Sequence, residues 1–482
     1  MILALDIGSS SIRASLFDHA ARPVHDTSIK FEREFSATAD GGAELDAGEA
    51  LSQVAAVVDA ILEKTKSLAV RITHIASCAF WHSLMGVDAD GTPSTSVFGW
   101  ADRRSRNYSA LLKTHFDEAE IHNRTGAHFH SSFWPAKLLR LRTEFPDVFA
   151  RTAKWLSFSD YVALTFCGVA ATSVSMASAT GIFDQRNCDW DGELLGYLGI
   201  SREHLPKLGD RTLRSNAKHA ERWPQLKDAE WFTAIGDGAA DHVGSCGIGK
   251  GKASLMVGTS AAMRVAYTAE PPPAIPQGLW SYRIDRGRVI VGGALSDGGN
   301  LYQKIKAEYN VSSDAENEMR RRGAAAHGLT VLPFFFGERS TGYNEDARGE
   351  IIGLNASNDG TDILQAVLEG VAYRLSEISD RLKAVVEFEH IVASGGALRD
   401  SPVWTQIIAD VLGRDQVLSN TPESSSRGAV LLALESIGRI DGIDGSQTTD
   451  ERTLGFHPEC HDAYKRARKQ HQNAYEREAK KS

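Results

Sequence analysis

Ile2-Leu3-Ala4-Leu5-Asp6-Ile7-Gly8-Ser9-Ser10-Ser11-Ile12-Arg13-Ala14-Ser15-Leu16-Phe17 is the stretch on which the architecture turns. The runs Ile2 to Asp6 and Ile12 to Phe17 are short and apolar or alternating, and Gly8 to Ser11 sets small residues between them. The segment therefore reads as a hairpin with a hydroxyl-rich turn. The same unit returns in the second half of the chain, where Ala253 to Val257 and Ala261 to Tyr267 flank Gly258-Thr259-Ser260. Two copies of one supersecondary unit predict a duplicated α/β chain with two related lobes.

Just ahead of the second copy, Trp231 to Ile235 reads as a short apolar strand. Gly236-Asp237-Gly238 breaks it, and Ala239 to Cys246 then has helical spacing. A carboxylate, Asp237, thus stands at a strand-to-helix turn. The following stretch, Gly244 to Gly251, is glycine-rich, and two readings stay open for it: a hinge between the lobes, or a helix that stops on glycine. Apolar residues at three- and four-residue spacing predict further helices over Gly48 to Ser67, Ala136 to Glu144 and Ser159 to Phe166.

Glycine pairs punctuate the second half at Gly292-Gly293, Gly298-Gly299 and Gly395-Gly396. The last follows the apolar strand His390 to Ala393 and precedes a helical pattern from Trp404 to Leu412. Backbone N–H groups bared beside a helix start suit a nucleotide, although a single glycine pair is commonly structural. Neither G-x-G-x-x-G nor G-x-x-x-x-G-K-[ST] occurs, which disfavours those two nucleotide-binding modes. Tyr464 to Lys481 is almost uniformly charged and reads as a solvated helix or a frayed tail.

With 482 residues, 42% hydrophobic and 24% charged, the chain is long enough for two cores and too apolar to be disordered. Its net charge of -9 argues against a nucleic-acid partner, which needs a concentrated basic face. No apolar run reaches the ~20 residues of a membrane-spanning helix. The sequence opens directly on a strand, without a basic segment and cleavage site, so a cytoplasmic protein is expected. Cys78, Cys167, Cys188, Cys246 and Cys460 form no C-x-x-C pair, and reduced, mostly buried thiols are expected rather than disulfides or zinc. Small-molecule chemistry remains, with a second copy of the chain as the one macromolecular partner left open.

Taken together, Asp6-Ile7-Gly8-Ser9-Ser10-Ser11, Trp100-Ala101-Asp102-Arg103-Arg104, Gly236-Asp237-Gly238-Ala239-Ala240, Gly258-Thr259-Ser260, Gly337-Glu338-Arg339-Ser340, Ala347-Arg348-Gly349, Leu368-Glu369-Gly370 and Gly395-Gly396-Ala397 resemble the FGGY carbohydrate kinases. Each motif is weak alone; their order and spacing, from about Ile2 to Ile437, are specific. The resemblance implies a two-lobed actin/hexokinase-like (ribonuclease H-like) ATPase fold with duplicated domains around a central cleft. Residues 1–245 would form the sugar-binding lobe, with the first phosphate turn and the catalytic base. Residues 246–482 would form the nucleotide-binding lobe.

The resemblance also implies ATP and Mg²⁺. Gly8, Ser9, Ser10 and Ser11, with Gly258, Thr259 and Ser260, would hold the ATP phosphates, since short hydroxyl side chains and bare backbone donate hydrogen bonds without crowding. Gly298, Gly299, Gly395, Gly396, Ala397 and Asp400 would complete the nucleotide site. Asp6, through water, and Asp237 would face the magnesium, a buried structural Asp being the alternative for Asp6. Asp237 matches the base that takes the proton of the attacking hydroxyl, while Asp241, one helical turn on, is expected to be structural.

Trp81, His82, Trp100, Asp102 and Arg104 resemble the family's substrate segments, where aromatic faces pack on the sugar and charged groups bond its hydroxyls, with Asp237 at the reacting oxygen. Trp81-His82-Ser83-Leu84-Met85, Arg124 to His130, Lys137-Leu138-Leu139 and Ala177 to Gly181 are similar to the gluconate kinase branch. ATP-dependent phosphorylation of D-gluconate to 6-phosphogluconate is therefore expected, with Arg104, Lys137 or His130 meeting the carboxylate. Xylulose, ribulose and erythritol are the alternative substrates, and an actin- or chaperone-like ATPase switch is the reading from another class. Four departures stand out: Ser173 replaces a common Asp, Thr341 a usual Pro, Asp400 a Ser or Asn, and Trp81 is bulky enough to narrow the sugar pocket.

Overall fold

The computed structural model describes residues 1–210, 212–249, 251–419, 421–443 and 452–479. Lys250 of the glycine-rich stretch and the last residues of the charged tail lie outside them. Each expected hairpin is the centre of a mixed sheet. In the first, Ile2–Ile7 pairs antiparallel with Ser11–Phe17 and parallel with His74–Ala79. In the second, Gly251–Val257 pairs antiparallel with Ala261–Thr268 and parallel with Phe388–Ser394. The two turns match down to one hydrogen bond, Gly8 N–H donating to Ser11 O and Gly258 N–H to Ser260 O, each at 2.9 Å.

Both sheets extend to seven strands. The first runs Thr212–Leu213, Glu230–Phe232, His74–Ala79, Ile2–Ile7, Ser11–Phe17, Ile29–Glu32, with Ile235–Gly236 also paired to His74–Ala79. The second runs Trp280–Arg283, Arg288–Leu295, Ala261–Thr268, Gly251–Val257, Phe388–Ser394, Gln416–Leu418, Arg452–Leu454. Ile2–Ile7 is buried at every residue because helices cover it. One is Ala47–Thr65, which starts where the Asp46 carboxylate accepts the Glu49 N–H and turns Val54, Val57, Val58 and Ile61 into the first core. Gly360–Lys383, opened by an Asp359/Asp362 capping box, covers the second sheet. The remaining expected helices form as Trp134–Glu144 and Phe158–Cys167.

Four expectations are corrected in detail. The strand before Asp237 is not continuous over 231–235: it breaks at Thr233-Ala234, where Ala234 O accepts the Ser173 hydroxyl instead of a ladder bond. The helix after it begins at Asp237 itself rather than at Ala239. A short helix, Gly396–Asp400, precedes the expected one, which starts at Pro402. The charged tail forms the helix Pro458–Ala479 and is neither frayed nor fully solvated, because Tyr464, His471 and Ala474 are buried along one side.

The glycine-rich stretch divides between two uses. Gly247, at φ 74°, ends Asp237–Cys246 with its N–H on Val243 O, which is the glycine stop. Gly244 lies inside that helix, where it crosses Ser424–Ser436. A Cβ on Gly244 would stand 1.9 Å from Ser424 O, and one on Gly428 1.9 Å from Ala240 O, so the helices meet backbone to backbone. Ser424–Ser436 comes late in sequence yet packs on the first sheet, where Ala429, Val430, Leu431 and Leu434 join the first core. The strands of the first sheet all precede Asp237–Cys246 and those of the second all follow it, while Ser424–Ser436 returns to the first sheet. Among the described residues no helix is long and apolar enough to cross a membrane, and none of the five cysteines is in a disulfide.

Candidate active site

Asp237 opens its helix with Gly236 as the cap, and its Oδ1 accepts the Gly238 N–H at 2.7 Å. The preceding strand is pinned from the side, Gly236 N–H donating to Ser175 Oγ at 3.1 Å and Ser173 Oγ donating to Ala234 O at 2.5 Å. The unusual Ser173 thus helps fix the approach to Asp237. Behind it lies the Trp81 indole: a Cβ on Gly236 would fall 1.8 Å from that ring, and one on Gly238 2.5 Å. Glycine on both sides of Asp237 is what admits the tryptophan. Burial first, and the charge of Asp6 second, push the Asp237 carboxyl up to about 7 against the pull of Arg264. A carboxyl poised near neutrality suits a general base.

Asp6, one residue before the end of the first strand, is in register with Cys78, which is itself level with Ile235. Among the described residues its close side-chain partners are Arg13, at 3.7 Å, and the Cys78 thiol, which donates at 3.5 Å; burial raises its carboxyl. A buried, under-partnered carboxylate is the kind of oxygen donor a hydrated Mg²⁺ takes. Asp241 differs: it pairs with Arg264 at 3.3 Å and accepts the Ser424 hydroxyl at 2.6 Å, which ties its helix to its neighbours.

The hydroxyl-rich turns present Ser10 and Thr259 at exposed tips, with Ser9 and Ser260 half-buried beside them. The second-lobe glycine segments converge on the second turn. Gly299 N–H donates to Gly258 O at 2.7 Å and Asn300 N–H to Thr259 O at 3.0 Å, while a Cβ on Gly298 would press within 2.6 Å of Ser260. Gly395, at φ 113°, would place a Cβ 2.2 Å from Val257 O, so only glycine fits. Gly396 and Ala397 open the short helix that ends on the exposed Asp400.

The expected sugar residues separate into two groups. His82, at φ 66°, donates its Nδ1–H to Ala179 O at 2.7 Å. Burial and the nearby Arg339 hold it neutral, leaving Nε2 as an acceptor. Trp100 lies under the Arg339 guanidinium, 5.4 Å from its ring centroid. Asp102 and Arg104, in contrast, are engaged with each other: Arg104 Nε donates to both Asp102 oxygens at 3.2 and 3.1 Å, and Nη2 to Glu44 at 2.5 Å. Lys137, pulled down to about 7 by burial, donates to the carbonyls of His82, Gly99 and Ser132 at 3.2, 2.8 and 2.8 Å. His130 bonds Ser132 and sits 3.5 Å from Glu345. All three residues expected to meet a carboxylate therefore have protein partners, and burial holds His130 neutral; Lys137 ties the His82, Gly99 and Ser132 segments together.

Near Asp237 the expected Trp81 is joined by groups that the sequence did not single out as site residues. Trp81 Nε1, Trp280 Nε1, Tyr282 OH, Arg264 Nε and Arg339 Nε are buried without a hydrogen-bond partner. They are neighbours: Trp81 meets Trp280 and Tyr282 at centroid distances of 5.8 and 5.2 Å, and Tyr282 meets His82 at 5.8 Å. Orphaned buried donors are costly, so a cluster of them at the cleft asks for a hydroxyl-rich ligand. Trp280 and Tyr282 alternate on one strand and read locally as ordinary sheet residues. For Arg339 the signal was present in the Gly337 to Ser340 motif, without a role attached.

Comparison with known proteins adds the relationships. Residues 1–227 match the N-terminal domain, and residues 253–436 the C-terminal domain, of the FGGY family of carbohydrate kinases. The chain is 28% identical over 465 residues to the gluconokinase of Bacillus subtilis (strain 168), covering 92% of this chain and 89% of that one. It is 22% identical over 453 residues to the xylulose kinase of Lactococcus lactis subsp. lactis (strain IL1403), with the same coverage of 92% and 89%. The crystal structure of gluconate kinase from Lactobacillus acidophilus superposes with a TM-score of 0.89 at 23% identity, over 100% of this chain and 99% of that one, which establishes the two-lobed fold.

Proposed function

The chain belongs to the FGGY family of carbohydrate kinases, and from that premise we propose that it transfers the terminal phosphoryl group of ATP to the C6 hydroxyl of D-gluconate, giving 6-phosphogluconate. The observation that carries this reading is Asp237: a carboxyl raised to about 7, at a helix start, between two matching hydroxyl-rich turns and beside a pocket of unpartnered donors. Support for gluconate comes from the gluconokinase of Bacillus subtilis among the relatives, while xylulose, ribulose and erythritol remain the competing acceptors. An ATP-driven switch without an acceptor has no use for such a pocket.

In this mechanism the substrate hydroxyl faces Asp237, which accepts its proton as the oxygen–phosphorus bond forms and the bond to ADP breaks. The turns at Gly8 to Ser11 and Gly258 to Ser260 hold the phosphates in line. Asp6 would hold a hydrated Mg²⁺, which when bound would supply neutralisation of the phosphate charge. His82 and the Trp81, Trp280 and Tyr282 rings orient the carbon chain and keep water out.

ADP release by the purified protein is measured with Mg-ATP alone and with gluconate, xylulose, ribulose, erythritol or glycerol. Gluconate should stimulate most, and Asp237→Asn should lower that turnover by roughly 10²–10⁴-fold with ATP binding retained. Equal release with and without every acceptor would overturn the reading.

A further inference from the structure

We propose that Arg339 is the specificity-determining residue of the sugar site: its guanidinium, delivered from the second lobe, holds the carboxylate of an acidic sugar. The assignment deepens the reading above and rests on a sugar binding beside Asp237. A buried guanidinium needs an anion or a full set of acceptors. Around the cleft, Arg104 has Asp102 and Glu44, Arg264 has Asp241, Arg103 donates to Glu345 O at 2.6 Å, and Lys137 has its three carbonyls. Arg33 also lacks a carboxylate, but it stands beneath the first turn, donating to Gly8 O at 2.9 Å between the Phe80 and Phe158 rings. Arg339 and Arg103 both line a cavity with Trp100, His130, Ser131, Ser132, Ser296 and Glu345, but Arg103 has the Glu345 carbonyl, whereas the half-buried Arg339 has its guanidinium 5.4 Å from the Trp100 ring centroid and a buried Nε with no acceptor among the described residues.

The backbone presents this side chain deliberately. On one side Glu338 is locked in the core, pairing with the fully buried Arg374 at 2.7 Å and accepting the Tyr475 hydroxyl at 2.8 Å. On the other, Ser340 exchanges bonds with Ala294, both at 3.0 Å. Both neighbours point into structure; Arg339 points into the cleft. A fork of N–H donors over an aromatic face is suited to one planar anion, with serine hydroxyls at hand for the adjoining hydroxyl groups.

The test is titration calorimetry in the presence of a non-hydrolysable ATP analogue, with D-gluconate and with D-glucitol, the same carbon chain ending in a neutral alcohol. The wild-type protein should prefer gluconate. Arg339→Gln should weaken gluconate by about 30- to 300-fold, the loss expected for a charge-assisted pair. D-Glucitol should stay within about threefold, and Arg339→Lys, which keeps the charge but not the fork, should recover roughly tenfold. Equal weakening of gluconate and D-glucitol, or a wild type indifferent between them, would overturn the proposal. Failure of the kinase reading looks different: acid-selective binding that depends on Arg339, with no acceptor-stimulated ADP release.

Discussion

Asp237 and Trp81 account for each other. The indole occupies the space that side chains at 236 and 238 would need, and in return it walls the carboxyl away from water. The sign of the consequence is fixed. An ordinary carboxyl of 3.8 raised to about 7 ionises in the folded protein only at a cost, so its contribution to stability is full below about pH 4 and is lost as pH rises through 7. Asparagine carries no charge at either limit. Asp237→Asn should therefore melt above the wild type at pH 8, by about 1–2 kcal/mol once the solvent reaching the cleft is allowed for, and level with it at pH 4. Differential scanning calorimetry at the two pH values decides it; a variant less stable at pH 8 would mean the carboxylate is satisfied by partners. In the same window, kcat/KM of the wild type should climb to a plateau above about pH 7 as the base ionises.

At the scale of elements, the crossing of Asp237–Cys246 with Ser424–Ser436 is the joint that sets where Asp237 stands. It depends on Gly244 and Gly428, because a single methyl at either meets a backbone oxygen at 1.9 Å. Gly428→Ala should cost about 2–3 kcal/mol through overpacking. Gly192→Ala, at a helix start with nothing within 4 Å, should be neutral or slightly stabilising. Chemical denaturation of both variants checks the pair, and a tolerated Gly428→Ala would show that the helices can separate freely. The hairpins, the Asp237 turn and the glycine segments were legible in sequence because each is a local pattern. The occupations of Arg104 and Lys137 were not, since Glu44 lies 60 residues from Arg104 and Gly99 lies 38 from Lys137. Nor was the partnership of Trp81 with Trp280 and Tyr282, which only folding brings together. The C-terminal helix is a different kind of miss: Tyr464, His471 and Ala474 recur on one face, a stripe that its dense charge concealed.

Over the whole molecule, the two halves meet, besides the helix crossing, in two unlike ways. Along Trp280–Arg283 the contact is made by backbone: Ser281 N–H donates to Gly126 O at 3.0 Å, and the His122 ring bonds Leu279 O at 2.7 Å. At the cavity the contact is made by side chains: the Glu345 carboxylate accepts the Ser131 N–H and faces His130, the Glu345 carbonyl accepts from Arg103, and Arg339 lies against the Trp100 ring. The first is a fixed seam; the second is a side-chain latch beside Trp100 and Arg339. Truncating Glu345 removes the carboxylate contacts of the latch, keeps its carbonyl for Arg103 and leaves the seam intact, so the lobes should loosen on that side only. Glu345→Ala is expected to show a larger radius of gyration by X-ray scattering than the wild type, which should lie near the ~23 Å of a compact chain of this length. Gluconate with a non-hydrolysable ATP analogue should draw the variant back to the wild-type value. Because only the closed fraction brings Arg339 to the sugar, apparent affinity falls with that fraction, and KM for gluconate should rise by roughly tenfold with kcat at saturation little changed. Superimposable scattering curves together with an unchanged KM would mean that the seam alone holds the cleft closed.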